Sequence, residues 1–170
     1  VQLAGKALDA ERLRVLEELK ETDRRRYRIG KSQWRLFHLD AKAVDAKQVR
    51  YLKGVNEYMT QQNAIDLFRG QSGAFSEAYS FYQAILQALK AKDPTVMASL
   101  IDNYCFKGTK MDSVVRTYRK NQAGILNACC YSYSNGPIEG LNRKIKALKR
   151  NCYGFRNIKN FFLRISLIYN

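Results

Sequence analysis

Apolar residues recur along this chain at spacings of three and four, the period of a helix with one buried face, while strict alternation and paired turn dipeptides are scarce. The pattern predicts a mainly α architecture. A first helix is expected from Leu3 to Tyr27, with Leu8, Leu13, Leu16 and Leu19 turned inward and "DRRRYR" placing positive charge at its C-terminal end. "KSQWRLFHL" gives a short apolar element around Trp34, and "DAKQVRYLKGVNEYM" reads as a renewed helix capped by Asp45. A helix from Gln61 to Phe68 follows. The next begins at a Ser/Gly break and carries Phe75, Tyr79, Tyr82, Ile85, Leu86 and Leu89 at helical spacing, which makes its aromatics core residues rather than stacking platforms. Asp93 and Pro94 have the chemistry of a cap and a first helical position. "MDSVVRTYRKNQAGILNACCYSYS" supplies one more helix before order loosens between Cys129 and Ser134.

Turn chemistry returns in "SNGP", and its proline suits the start of a helix running from Pro137 to Arg150. At 100° per residue, Ile138, Leu141, Ile145 and Leu148 fall on one face, expected to be buried. Glu139, Asn142, Arg143, Lys146 and Arg150 share the polar face. "YGFRN" then turns the chain, with Gly154 as a left-handed C-cap and Asn157 as the cap of a last helix. In that helix Ile158, Phe161, Phe162, Ile165, Leu167 and Ile168 read as core.

Composition narrows the function. A chain of 170 residues fits one domain or a large part of one. Thirty Lys+Arg against fifteen Asp+Glu leave a formal charge of +15, which favours a polyanionic partner, nucleic acid first. Ribosomal and membrane-surface proteins share such totals, so distribution decides. From Ser134 to Arg164 eight Lys/Arg, namely Arg143, Lys144, Lys146, Lys149, Arg150, Arg156, Lys159 and Arg164, face the single acid Glu139. That concentration beside an amphipathic helix suits a phosphate-tracking surface. No run approaches the roughly 18 apolar residues of a membrane span, so a soluble protein with no membrane partner is expected. The first residues do not read as a charged-apolar-small secretory leader, and a first residue of Val1 reads as a piece of something longer. Cys105, Cys129, Cys130 and Cys152 contain no CxxC pair and are expected as buried, small apolar side chains in a reducing cytoplasm. His38, partly buried or at the surface, receives no role.

Two readings of Glu139 compete. An acid in a first turn favours the helix dipole, and an i, i+4 ion pair with Arg143 adds roughly 0.2–0.5 kcal/mol. Alternatively, an oxygen donor among phosphate-binding cations can hold Mg²⁺ against a phosphodiester, although one glutamate is too little for such a site.

"SNGPIEGLNRKIKALKRNCYGFRNIKNFFLRI", residues 134 to 165, resembles the C-terminal signature of bacterial insertion-sequence transposases of the ISL family. Its S-N-G, E-G, N, K-I-K, K-R and Y-G-F-R-N follow in order without a gap. "QQNAIDLF", "FSEAYSFYQAILQALKAKD" and "MDSVVRTYRKNQAGILNA" are similar more loosely. The resemblance implies a ribonuclease H-like core whose two aspartates and one glutamate, a DDE triad, bind two Mg²⁺ ions for strand cleavage and transfer. It makes Glu139 the catalytic and metal-binding glutamate. Asn142, Arg143, Lys146, Lys149 and Arg150 match the polar residues that follow, and their charge and helical face give them a DNA-contacting role. The family's two strand-borne aspartates lie upstream of a segment similar to "VQLAGKALDAERLR"; Asp9, Asp23, Asp40, Asp45, Asp66, Asp93, Asp102 and Asp112 fall in helices, caps or loops and replace neither.

The resulting expectation is a mainly α partial domain with strands largely absent. A helical insertion covers residues 1–128, and a glutamate-bearing segment of the catalytic core covers 129–170. The chain is expected to bind transposon-end and target DNA in the bacterial cytoplasm, to be inactive alone, and to form a homo-oligomer if it joins two ends. The rival is a stand-alone helical nucleic-acid-binding module or transposon-derived regulator, with Glu139 only a helix-dipole acid.

Overall fold

The computed structural model describes residues 1–131, 136–152 and 156–169, and divides into two compact units, 1–131 and 132–170. In the first unit, helix α1 (Gln2–Thr22) packs against three of the later helices. Ala4, Leu8, Val15 and Leu19 on α1 are fully buried. Leu13, expected inside, is 52% exposed: at 100° per residue it points about 160° away from Val15.

The single helix expected from Leu3 to Tyr27 is two. Asp23 is extended (φ −141°, ψ 91°) and its carboxylate accepts the Arg26 N–H at 3.0 Å, ending α1 and starting α2 (Arg24–Ser32). A 3₁₀ turn, Trp34–His38, forms the apolar element around Trp34.

The segment after Asp45 is a hairpin, contrary to the helix expected there. Asp45 does accept two N–H groups, from Lys47 and Gln48 at 3.0 and 2.9 Å, but this closes a turn. Strand β1 (Arg50–Leu52) then pairs antiparallel with β2 (Glu57–Met59). Gly54 (φ +87°) and Asn56 (φ +64°) sit in the left-handed region between them, where a right-handed helix cannot continue.

Helix α3 (Gln61–Arg69) starts at Thr60, whose side chain accepts the Asn63 N–H. Ser72 caps α4 (Gly73–Ala91), and Asp93 caps α5 (Pro94–Asp102) by accepting from Thr95 and Val96. Helices α6 (Lys110–Lys120) and α7 (Gln122–Cys130) replace the one helix expected over 111–128, with Asn121 between them. Phe75, Tyr79, Tyr82 and Ile85 are buried, and Leu86 and Leu89 are half-buried against the core. Phe37, Phe68 and Phe75 form an aromatic layer with ring centroids 4.9–5.3 Å apart.

In the second unit the described elements are α8 (Gly136–Asn151) and α9 (Ile158–Tyr169). Asn157 accepts the Lys159 N–H at 2.9 Å, as a cap should, whereas Gly154 lies outside the described residues. The expected burial is not found. Ile138 is 60% and Leu167 82% exposed; Leu141, Ile158, Phe162 and Ile168 are also exposed, and Ile145, Leu148, Phe161 and Ile165 are half-buried. An apolar helix face is buried only by a second layer, and two helices cannot cover all of each other. Periodicity located these faces; it could not supply their cover.

Candidate nucleic-acid interface

Helix α8 presents the sequence-predicted site. Pro137 stands in its first turn beside Glu139, the acid of that turn. Taking Glu139 as the reference direction, helical geometry puts Lys146 and Arg150 within about 20°, Arg143 at about 40°, and Asn142 and Lys149 on the flank at about 60° and 80°. All six side chains are exposed. From Glu139 to Arg150 the strip is about 16 Å long. Arg150 also returns its Nε to the Lys146 carbonyl at 3.4 Å.

The ion pair expected between Glu139 and Arg143 is not formed, and among the described residues Glu139 has no ion-pair partner. In water such a pair gains too little to hold two long side chains in one geometry. The carboxylate therefore heads a cationic strip without being neutralised by it.

The aspartates are occupied by the fold. Asp9 lies 2.9 Å from Arg12 and 3.1 Å from His38 Nε2, Asp23 pairs with Arg26, and Asp40 with Lys90. Asp112 is buried and accepts from the Lys107 and Gly108 N–H groups and from the Tyr104 hydroxyl. Burial would raise its pKa, yet those donors hold it below the usual carboxylate range. Among the described residues no group of three or more His, Cys, Asp or Glu side chains could hold a metal ion. Glu139 alone does not fit Mg²⁺, which needs further oxygen donors.

His38 is partly buried, edge-on to both Trp34 and Tyr82. The expectation of four buried cysteines holds only for Cys129; Cys105 and Cys130 are exposed and Cys152 is intermediate. No helix is long and apolar enough to cross a membrane among the described residues. The reading as a helix missed the hairpin's outward tyrosines and basic residues; alternation in "RYL" and "EYM" around the left-handed Gly54 and Asn56 was the available signal.

A mainly helical chain with an exposed basic strip suits the broad class of proteins that work against polyanions. A transposase family profile matches residues 1–165. The chain belongs to the ISL3 family of DDE transposases. It is similar to a Lactococcus lactis subsp. lactis protein named ATP-dependent protease, 38% identical over 121 residues, 71% of this chain and 39% of that protein. It is also similar to the transposase for insertion sequence element IS1001 of Bordetella parapertussis, 43% identical over 42 residues, 25% of this chain and 10% of that one. The chain thus spans well under half the length of either curated relative. No solved structure matches it.

Proposed function

We propose that this chain is the glutamate-bearing C-terminal part of a DDE transposase. In this reading α8 lies along DNA, Arg143, Lys146 and Arg150 neutralise phosphates, and Asn142 and Lys149 contact the backbone from the flank. The observation that carries the reading is the unbroken signature of residues 134–165 together with the exposure of its cationic strip on α8.

Glu139 is the carboxylate this chain would contribute to a Mg²⁺ site completed by residues beyond those described, and a metal held there would supply charge stabilisation at the phosphodiester. Among the described residues it belongs to no group of three or more His, Cys, Asp or Glu side chains, and the part this reading gives to the chain's own cations is to hold and orient DNA. Two strand-borne aspartates from a longer transposase chain would complete the triad. A bacterial cytoplasmic protein that forms a homo-oligomer to join two transposon ends is the setting this chemistry requires.

Duplex binding measured across salt tests the strip. Replacing Arg143, Lys146 and Arg150 together by Glu should reduce the slope of log affinity against log salt by about 2.7, close to 0.9 per lost phosphate contact. An unchanged affinity and slope would refute the role given to α8. In a transposase chain extended upstream to carry both aspartates, Glu139→Gln should abolish Mg²⁺-dependent cleavage and leave DNA affinity in place. Binding with no cleavage in any such chain would favour the stand-alone binding module.

A further inference from the structure

The β1–β2 hairpin is amphipathic across its two faces. Leu52 and Met59 point into the core and Val55 is buried in the connection, while Tyr51 and Tyr58, directly opposed in register, stand outward. Their ring centroids lie 5.2 Å apart with planes at 58°. Tyr58 is 75% exposed and Tyr51 48%. The Tyr51 hydroxyl donates to Asn56 Oδ1 at 3.3 Å, holding that ring along the hairpin.

The hairpin is fixed to the basic helix α2. Gln33 Nε2 donates to the Lys53 carbonyl at 2.8 Å, and Arg25 pairs with Glu57 at 2.7 Å. Gly54 lies so close to Ser32 that an added Cβ would sit 2.6 Å from the serine Cβ. Across 23–33 and 45–60 there are eight Lys/Arg and three acids. Each acid is already paired with an arginine of these segments: Asp23 with Arg26, Asp45 with Arg50, Glu57 with Arg25. That leaves Arg24, Arg28, Lys31, Lys47 and Lys53 without a carboxylate partner among the described residues.

Exposed aromatic faces beside surplus cations match one ligand chemistry better than others. Unpaired bases stack on aromatic rings with little regard to sequence, and cations track the phosphates between them. A duplex hides its base faces, so it would use the cations and leave the tyrosines idle. We propose that the hairpin is a second nucleic-acid site of this chain, where Tyr58 and Tyr51 stack on unpaired bases of a DNA strand whose phosphates run along Lys47, Lys53 and α2. This rests on the reading of the chain as a DNA-handling protein and names the strand state it holds.

Fluorescence anisotropy of the full chain with a labelled oligo-dT of about 20 nucleotides, and with a duplex of equal length, tests it. Tyr58→Thr keeps a β-branched strand former at an exposed position; it should weaken oligo-dT binding about 5- to 100-fold while leaving duplex affinity unchanged. Tyr58→Phe, which keeps the ring, should bind like the parent. Far-ultraviolet circular dichroism verifies that each variant is folded. Equal oligo-dT affinity in the folded threonine variant overturns the site, and so does an equal loss on single strand and duplex. A concentration-dependent dimer broken by Tyr58→Thr, with oligonucleotide affinity unchanged, would assign the face to a second copy and overturn it as well. The two DNA readings fail separately: the hairpin falls if Tyr58 is silent while α8 charge reversal weakens duplex binding, and the strip falls if the converse is found.

Discussion

Replacing Gly30 by alanine sets two opposed effects against each other in the interior of the first unit. Within a helix, alanine is favoured over glycine by up to about 1 kcal/mol. Gly30, however, is buried where α2 meets α1 and α3, and a Cβ there would lie 2.2 Å from Phe68 Cε2, 2.7 Å from Phe68 Cζ and 2.9 Å from Leu16 Cδ2. The first contact is about 1.3 Å inside the roughly 3.5 Å at which two carbons pack comfortably. Leu16 is a flexible aliphatic side chain, but Phe68 is fully buried between Phe37 and Phe75, with ring centroids at 5.1 and 4.9 Å. Overpacking of this kind costs about 1–3 kcal/mol, so the net expectation is a loss of about 1–2 kcal/mol. For a unit of this size that is a fall in Tm of roughly 4–8 °C. Thermal and urea unfolding followed by circular dichroism measure it. Phe68→Leu, which removes the offending ring edge, should destabilise less in the Gly30→Ala background than in the parent. A raised Tm for Gly30→Ala, or an identical cost of Phe68→Leu in both backgrounds, would refute the close fit of Gly30 under Phe68.

Two further outcomes follow from buried and capping groups. Asp23, Asp40, Asp45, Asp93 and Asp112 all have pKa values lowered by the folded state, through side-chain or backbone donors that outweigh burial where it opposes them. Their contribution is therefore complete above the unfolded value of about 3.9 and is lost as pH falls through the lower folded values. Stability against pH should decline in that acid window, and Asp112→Asn should lower Tm at pH 7 and flatten the decline; an unchanged acid branch would show that Asp112 is not part of it. Thiol titration of the native chain should modify Cys105 and Cys130 readily and Cys129 only on unfolding, because Cys129 is buried and burial pushes its thiol pKa up.

The capping residues show what local chemistry makes legible. Ser72 and Asp93 bond amide groups two or three residues ahead, so a short stretch of sequence contains both halves of the interaction. The α8 helix was readable for the same reason, from its proline and its 100° spacing. Asp45 shows where that logic fails: it caps a turn in the same manner, and only the left-handed Gly54 and Asn56 further on direct the chain into a hairpin. Tyr51 and Tyr58 take their outward positions from that hairpin's register, which joins residues seven apart. The strip on α8 was placed on its face by periodicity, and its partners are beyond what periodicity contains.

By itself the sequence determined the helical class, most helix starts, the basic surplus and the family signature around Glu139, because these depend on neighbours a few residues apart. The tertiary structure decided the breaks at Asp23 and Asn121, the hairpin, the burial of Gly30 under Phe68, and the exposure of the apolar faces of α8 and α9. Burial is a property of what lies opposite a face. An amphipathic pattern states that a face would gain by being covered, and only the packing of distant segments determines whether it is.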